Sequence, residues 1–117
     1  MKLVNNSKSW WEKINEALHK RTGCIRLGFH SKKQMNGRGY YTGDIISCIE
    51  TGRVIEIEKG YNSRLKKMCT NITIEGKDRD GNPVVVIFSE EKSGNSPVFS
   101  IVTILPPTDR NRFSKVI

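Results

Sequence analysis

The chain has 117 residues and a formal net charge of +8 at pH 7, a size that suits one domain with a single core. Three cysteines without a CxxC spacing, and only two histidines, argue against a disulfide framework and a zinc site. No apolar run approaches the length of a membrane span, and the N-terminal stretch lacks the apolar segment of a signal peptide. These features predict a soluble single domain over 1–117 that works in a cytosol with reduced thiols.

The positive charge is concentrated in the N-terminal third of the chain. Residues 1–40 contain nine Lys and Arg and two acids, whereas residues 41–117 contain eleven Lys and Arg and ten acids. An electropositive face of this kind suits phosphate backbones or an acidic protein partner. Solubility alone is the simpler explanation and stays open.

The first predicted element is a helix that begins at Ser9 and ends by Gly23. Ser9 and Glu12 have the spacing of a capping box. One apolar face follows at helical spacing, and its members are Trp11, Ile14, Ala17 and Leu18. At this spacing Trp10 and Trp11 are typical of core or interface anchors, and a base-stacking platform is the alternative.

A second helix is predicted over about 42–51, after the glycine-rich stretch NGRGYYTGD. Thr42 suits the N-cap and Asp44 the positively polarised first turn. Gly52 is the predicted stop.

From Arg53 the apolar period changes to two, which is typical of β-strands. The predicted strands are 54–58, 68–75, 84–88 and 98–105. The predicted turns between the later strands are 78–83 and 93–97, and the proline pair 106–107 ends the sheet. This order predicts an α+β fold, with N-terminal helices packed on one face of a roughly four-stranded antiparallel sheet. The tail 108–117 is either frayed or docked through Phe113.

Several common catalytic motifs are missing from the sequence. There is no P-loop and no GxSxG nucleophile elbow, and GRG at 37–39 lacks the further glycine and preceding strand of a dinucleotide site. Glu56 and Glu58 alternate on one predicted strand, and we interpret them as its solvated face. No cluster of acids and histidines suits a magnesium or transition-metal ion.

The remaining candidate is the basic stretch GFHSKKQMNGRGYY, residues 28–41. His30 titrates near neutral pH and can exchange protons, while Arg38 can bind a phosphate through two donors. Lys32 and Lys33 add positive charge. Metal-independent RNA cleavage by 2′-hydroxyl attack requires these residue types, namely a base, an acid and fixed positive donors. In the alternative interpretation His30 caps a helix and the cations solvate a surface.

From His30 onward, the order of short motifs resembles a widespread bacterial domain family of uncharacterised function. The matching motifs are His30, Met35, Arg38-Gly39, the helix from Asp44 to Gly52, the strand 54–56, the turn Asp80-Gly81 and the final Val102-Thr103-Ile104. They cover roughly 28–105, which divides the chain into a lead-in with a helix (1–27), a family-like core (28–105) and a tail (106–117). The stretch TyrTyrThrGly at 40–43 departs from the family, which has a short apolar-Ser/Thr start there.

The family is similar to the metal-independent ribonuclease superfamily that includes barnase, the EndoU nucleases, colicin ribonucleases and the RelE toxins. That resemblance implies three catalytic residues: His30 as general acid/base, Arg38 as phosphate clamp, and Thr103 as hydroxyl donor to a phosphoryl oxygen. Ser100 and Thr70 remain alternatives to Thr103. The implied substrate-binding residues are Lys32, Lys33, Tyr40 and Tyr41. The two tyrosines either stack on a base or serve in packing.

The resemblance implies a ribonuclease toxin that cleaves RNA, with tRNA favoured, and leaves a 2′,3′-cyclic phosphate without metal or cofactor. Such a toxin acts in the cytoplasm of a target bacterium. The resemblance also implies an acidic immunity protein or antitoxin that neutralises the toxin. Complementary charge on the two proteins speeds their association. A host helper protein is a further partner class. Delivery as the C-terminal part of a larger secreted protein, as in contact-dependent inhibition, is one route.

Two alternative functions stay open. One is a non-catalytic module of the same fold that binds RNA or a protein. The other is an enzyme that acts on a nucleotide such as NAD.

Overall fold

The computed structural model describes residues 3–19, 23–62, 66–93 and 96–106, and for residues 3–8, 29–30, 62, 67, 92–93 and 96 it describes the backbone alone. The helices are α1 (Leu3–Leu18), α2 (Phe29–Gly37) and α3 (Thr42–Thr51). The strands are β1 (Cys24–Arg26), β2 (Arg53–Asn62), β3 (Lys67–Lys77), β4 (Pro83–Ser93) and β5 (Ser96–Leu105). The predicted α+β class is confirmed.

The strands form one mixed sheet in the order β1-β5-β4-β3-β2. The last four strands of the chain are the antiparallel meander that the alternating pattern predicted. β1 adds a short parallel partner at the β5 edge, with Ile25 opposite Phe99. Three residues are too few to show an alternating pattern, so this strand was not predicted.

The strands are longer than their apolar runs. β2 and β3 pair from Arg53 opposite Glu75 to Asn62 opposite Lys67. β4 and β5 pair as far as Ser93 opposite Ser96, so most of the turn predicted at 93–97 belongs to these strands. Backbone hydrogen bonds continue to pair the strands beyond their last buried side chains. The apolar pattern of the sequence does not show this continuation.

The main hydrophobic core lies between the helices and one face of the sheet. All three helices contribute side chains to it, and these are Ile14, Ala17, Met35, Ile45, Cys48 and Ile49. The sheet contributes Val54, Ile72, Ile74, Val84, Val86, Phe88, Phe99, Ile101 and Ile104. The helices therefore share one face of the sheet, as predicted. No helix in the described part of the chain has the length and apolar composition needed to cross a membrane.

The opposite face, which we call the second face, carries a smaller buried cluster of Val85 and Leu105 with Ile87 against it. Glu56 also points to this face, beside Thr73 in register. Its Oε2 atom is buried and has no hydrogen-bond partner among the described residues. The interpretation of Glu56 as a solvated side chain is therefore wrong, whereas Glu58 is exposed.

The N-terminal helix begins earlier than its capping pattern indicated. α1 starts at Leu3, so Ser9 lies inside the helix and is not its N-cap. An N-cap residue needs a non-helical backbone, and the Ser9–Glu12 spacing alone does not create one. Trp11 Nε1 donates to the Ile49 carbonyl of α3 at 2.8 Å, and Trp10 packs against the main core. Both tryptophans thus serve in packing.

α3 has the predicted bounds but a different cap. Tyr41 is the N-cap residue and Thr42 is the first helical residue. The Asp44 carboxylate accepts a hydrogen bond from the Tyr41 N–H at 2.8 Å, which is the acidic half of a capping box. The first turn of α3 is therefore fixed by Asp44 rather than by a Thr42 hydroxyl.

Candidate functional site

The unpredicted helix α2 lies beside the free edge of β5. β1 pairs with β5 only over 98–100, so the following β5 residues have no strand on that side among the described residues. Two side chains bind the backbone of these β5 residues instead. The hydroxyl of Ser31, in α2, donates to the Ile101 carbonyl at 2.7 Å, and Nη1 of Arg38, the C-cap of α2, donates to the Ile104 carbonyl at 2.7 Å. Helix side chains thus satisfy strand carbonyls that a sheet edge would leave unpaired.

The same guanidinium brings two predicted site residues together. Arg38 Nη1 donates to Thr103 Oγ1 at 3.1 Å. Arg38 is exposed and Thr103 is half-buried, with its side chain on the second face opposite Ile87. A charged donor group and a hydroxyl therefore meet at an accessible point of the sheet edge.

A Schellman motif holds Arg38 at the C-terminus of α2. The Tyr40 N–H donates to the Met35 carbonyl at 2.9 Å, and the Gly39 N–H donates to the Asn36 carbonyl at 3.1 Å. Gly39 has a φ of +82°, a left-handed conformation that glycine adopts without strain. The Arg-Gly pair therefore has a structural role, because Gly39 ends the helix with the Arg38 backbone beside β5.

His30 lies in the first turn of α2, at the other end of the helix from Arg38. Its side chain lies outside the described part of the structure. Eight residues of α-helix separate the two α-carbons by about 12 Å at 1.5 Å per residue.

Lys32 and Lys33 are both exposed on α2. With 3.6 residues per turn, Lys33 lies on the side of the helix opposite Ser31, which contacts β5. The lysines therefore add to the positive potential around the site without lying at the Arg38–Thr103 contact.

The two tyrosines after α2 differ in their surroundings. Tyr40 is half-buried and packs against the main core. Burial raises the pKa of its phenol, the carboxylates of Asp78 and Asp44 raise it further, and Arg38 opposes them. Tyr41 is 59% exposed. Tyr40 thus serves mainly in packing, and Tyr41 is available to a ligand.

Asp44 and Arg79 form a contact that the sequence did not predict. Asp44 Oδ1 accepts hydrogen bonds from the Arg79 backbone N–H at 3.1 Å and from its Nε at 3.4 Å. Burial alone would raise the pKa of Asp44. The hydrogen bonds from the Tyr41 and Arg79 backbones and the Arg79 charge outweigh it, so this pKa is lowered. The Arg79 guanidinium lies over the Tyr41 ring, 5.5 Å from its centroid.

A second polar cluster lies further along β5, on the same face as Thr103. Arg26 Nη2 forms an ion pair with Glu91 Oε2 at 2.9 Å, and the Ser100 hydroxyl donates to the same oxygen at 2.7 Å. Strand register brings these residues together, so no local pattern could have grouped them. Of the alternatives to Thr103, Ser100 lies in this cluster, whereas Thr70 lies on β3, which is separated from β5 by β4.

Within the described ranges, no three His, Cys, Asp or Glu side chains come together as a group that could hold a metal ion. None of the three described cysteines, Cys24, Cys48 and Cys69, forms a disulfide bond.

These features define an α+β domain with an arginine–hydroxyl contact at the edge of its sheet. The chain belongs to the family described as a domain of unknown function (DUF4258), whose model matches residues 27–106. That span contains every element from α2 to β5, including the Arg38–Thr103 contact. Comparisons with curated proteins and with solved structures found no match.

Proposed function

We propose that this protein is a metal-independent endoribonuclease that cleaves RNA by internal attack of a 2′-hydroxyl and leaves a 2′,3′-cyclic phosphate. The observation that carries the proposal is the contact between Arg38 and Thr103, two residues 65 positions apart that meet at 3.1 Å on an accessible sheet edge. Guanidinium and hydroxyl donors are the groups that stabilise charge on a phosphate as it becomes pentacoordinate. The resemblance to metal-independent ribonucleases supports the same roles.

The hydrogen bonding of the pair leaves donors for a phosphate. The Thr103 hydroxyl accepts from Arg38, so its own hydrogen can be donated to a phosphoryl oxygen. Arg38 uses Nη1 for its bonds to Thr103 and Ile104, and its other nitrogens have no partner among the described residues. The pair can therefore bind one phosphate through up to three donors.

His30 is the proposed general acid/base. Its position in the first turn of α2 places it about 12 Å along the helix from Arg38. A general acid/base must lie within hydrogen-bond reach of the reacting oxygen, so in this mechanism the imidazole and the guanidinium reach one phosphodiester group from opposite ends of α2.

The charge distribution supports an anionic substrate. Residues 17–43 contain no acid and six basic residues, which are Lys20, Arg21, Arg26, Lys32, Lys33 and Arg38. The last four of these have exposed side chains in the structure. Such a surface attracts RNA in a salt-dependent manner. The same basic surface fits an acidic immunity protein or antitoxin as a partner. We propose tRNA in a bacterial cytoplasm as the RNA that is cleaved.

Incubation of the purified protein with total RNA in EDTA tests the proposal. We expect cleavage in EDTA and 2′,3′-cyclic phosphate ends. Arg38→Ala and His30→Ala are each expected to lower the rate at least tenfold. The matched controls are Arg53→Ala, an exposed arginine on the opposite edge strand, and His19→Ala, the other histidine. Both controls are expected to cleave at the wild-type rate.

Three other results would overturn this proposal or part of it. Salt-sensitive RNA binding without any change in RNA length would indicate a non-catalytic module. Cleavage that requires added metal would exclude the metal-independent mechanism. Full activity of His30→Ala would remove His30 from the mechanism and leave proton transfer to other groups.

A further inference from the structure

An exposed aromatic–cation pair includes Tyr41, which follows Arg38 three positions later in the chain. The Arg79 guanidinium carbon is 5.5 Å from the centroid of the Tyr41 ring. Tyr41 is 59% exposed and the Arg79 side chain is 58% exposed. Two flat polar groups therefore present accessible faces at one place on the surface.

The pair is close to the proposed phosphate site. Tyr41 is three positions after Arg38, so their α-carbons are at most about 11 Å apart even in a fully extended chain. Tyr40 lies between them in the chain, and its phenol interacts electrostatically with Arg38, Asp44 and Asp78. Arg38 of the phosphate site and Asp44, which binds Arg79, thus both lie near the half-buried Tyr40.

Arg79 is held in place before any ligand binds. Asp44, which is 5% exposed, accepts hydrogen bonds from the Arg79 backbone N–H and from its Nε. Among the described residues, no acceptor binds the two terminal nitrogens. The Nε side of the guanidinium therefore faces the protein, while the Arg79 side chain as a whole remains 58% exposed.

We propose that Tyr41 and Arg79 form a stacking site for a nucleobase of single-stranded RNA, next to the phosphate held by Arg38 and Thr103. Unpaired RNA bases stack on aromatic rings and on guanidinium planes. Asp44 is a positioning residue in this arrangement. The identity of the ligand rests on the proposed function, whereas the stacking site itself does not require that the RNA is cleaved.

Binding of an uncleavable ligand tests the inference. The probe is a short, fluorescently labelled single strand of 2′-O-methyl RNA, in which the attacking hydroxyl is blocked, and the readout is fluorescence anisotropy. A matched set of probes carries one abasic position at each site in turn. Tyr41→Ala and Arg79→Ala are expected to bind the intact probe about tenfold more weakly than the wild type, because one base stack is lost. Tyr41→Phe keeps the ring and is expected to bind normally.

Two variants serve as matched controls. Tyr61 is a 64% exposed tyrosine on the opposite edge strand, β2, and Arg53 is an exposed arginine on the same strand. Tyr61→Ala and Arg53→Ala are expected to change affinity by less than about twofold. Both residues lie on the strand at the opposite edge of the sheet, and Arg53→Ala removes only one distant positive charge. Melting curves show whether each variant is folded.

The abasic probes separate stacking from other losses. One abasic position is expected to weaken wild-type binding about tenfold and to leave Tyr41→Ala unaffected, because that variant has already lost the stack. Equal sensitivity of the wild type and Tyr41→Ala to every abasic position would overturn the inference. Wild-type affinity in both Tyr41→Ala and Arg79→Ala would also overturn it. So would a wild-type protein that does not bind the intact probe. A positive result without cleavage of natural RNA would contradict only the proposed ribonuclease.

Discussion

Arg38 donates to the Thr103 hydroxyl at 3.1 Å, and the same nitrogen donates to the neighbouring Ile104 carbonyl at 2.7 Å. The second bond does not depend on any side chain of β5. Arg38 is therefore anchored to the strand backbone, and the Thr103 hydroxyl can be removed while the guanidinium stays in place.

This geometry allows a clean test of the hydroxyl. Thr103→Val keeps the shape and branching of the side chain but removes the donor, so we expect cleavage to fall about a hundredfold, the usual effect of losing one transition-state donor. The melting temperature is expected to change little, since the lost hydrogen bond is exposed. Thr103→Ser restores the hydroxyl and most of the activity. Thr70→Val, on β3, is the matched control, and equal rates for Thr103→Val and Thr70→Val would contradict the assigned role.

The turn after α2 depends on Gly39. Its φ of +82° is unfavourable for alanine, so Gly39→Ala is expected to lower the free energy of unfolding by about 1–2 kcal/mol. Gly37→Ala is the matched control two residues earlier, where the glycine is helical and a new Cβ meets nothing within 4 Å. That variant is expected to be neutral or stabilised by up to about 1 kcal/mol. Urea unfolding measures both, and equal stabilities would show that the Schellman turn is not needed.

The fold was predictable where an apolar pattern faces the core. α3 has the predicted bounds, and Ile45, Cys48 and Ile49 are buried on one side of it, whereas Ile46 is 37% exposed. Over 31–37, the part of α2 whose side chains the structure describes, Met35 alone is buried. The stability of α2 comes from contacts of Ser31 and Arg38 with β5, some 65 to 70 residues further along the chain, which local periodicity cannot show.

The candidate site was predictable in part. The family resemblance named Arg38 and Thr103 together, and the structure brings their side chains into contact, whereas their catalytic roles stay predictions. Arg79 was missed because it lies in a turn that the sequence marks only by its glycine and proline. Its partner Asp44 had been interpreted only as a helix-start residue, and the tertiary contact gives it a second role.

α3 approaches β3 closely at Gly76. A Cβ added there would overlap the Cys48 carbonyl oxygen and lie 3.0 Å from Cys48 Cα, so helix or strand must shift. Gly76→Ala is expected to cost about 1–3 kcal/mol of unfolding free energy, as overpacking does. Gly60→Ala on β2, where a Cβ meets nothing within 4 Å, is expected to be neutral or slightly stabilising. Chemical denaturation compares the two, and similar losses would contradict the close approach.

Glu56 is expected to make the folded state less stable as the pH rises, whereas a carboxyl with a lowered pKa has the opposite effect. Burial raises the pKa of this carboxyl, and the neighbouring Glu58 raises it further, so folding disfavours the charged form. The folded state should therefore gain stability as the pH falls from neutral through this raised pKa, with no further gain below the ordinary value of 4.5. Glu56→Gln is expected to melt at a higher temperature than the wild type at pH 7, with the difference shrinking towards pH 4.5. Glu50→Gln, on the exposed side of α3, is the control, and a lower melting temperature of Glu56→Gln at pH 7 would contradict the burial of this charge.

The three thiols are expected to react at very different rates. Cys24 is exposed, whereas Cys48 and Cys69 are 0% and 5% exposed. Burial also raises the pKa of Cys48 to about 12, which leaves almost none of the reactive thiolate at neutral pH. A maleimide reagent should therefore label one thiol quickly in the folded protein and all three in denaturant, with mass spectrometry locating the first label at Cys24. Cys24→Ser is expected to abolish the fast phase, and rapid labelling of Cys48 in the folded protein would show that α3 does not pack on β3 as described.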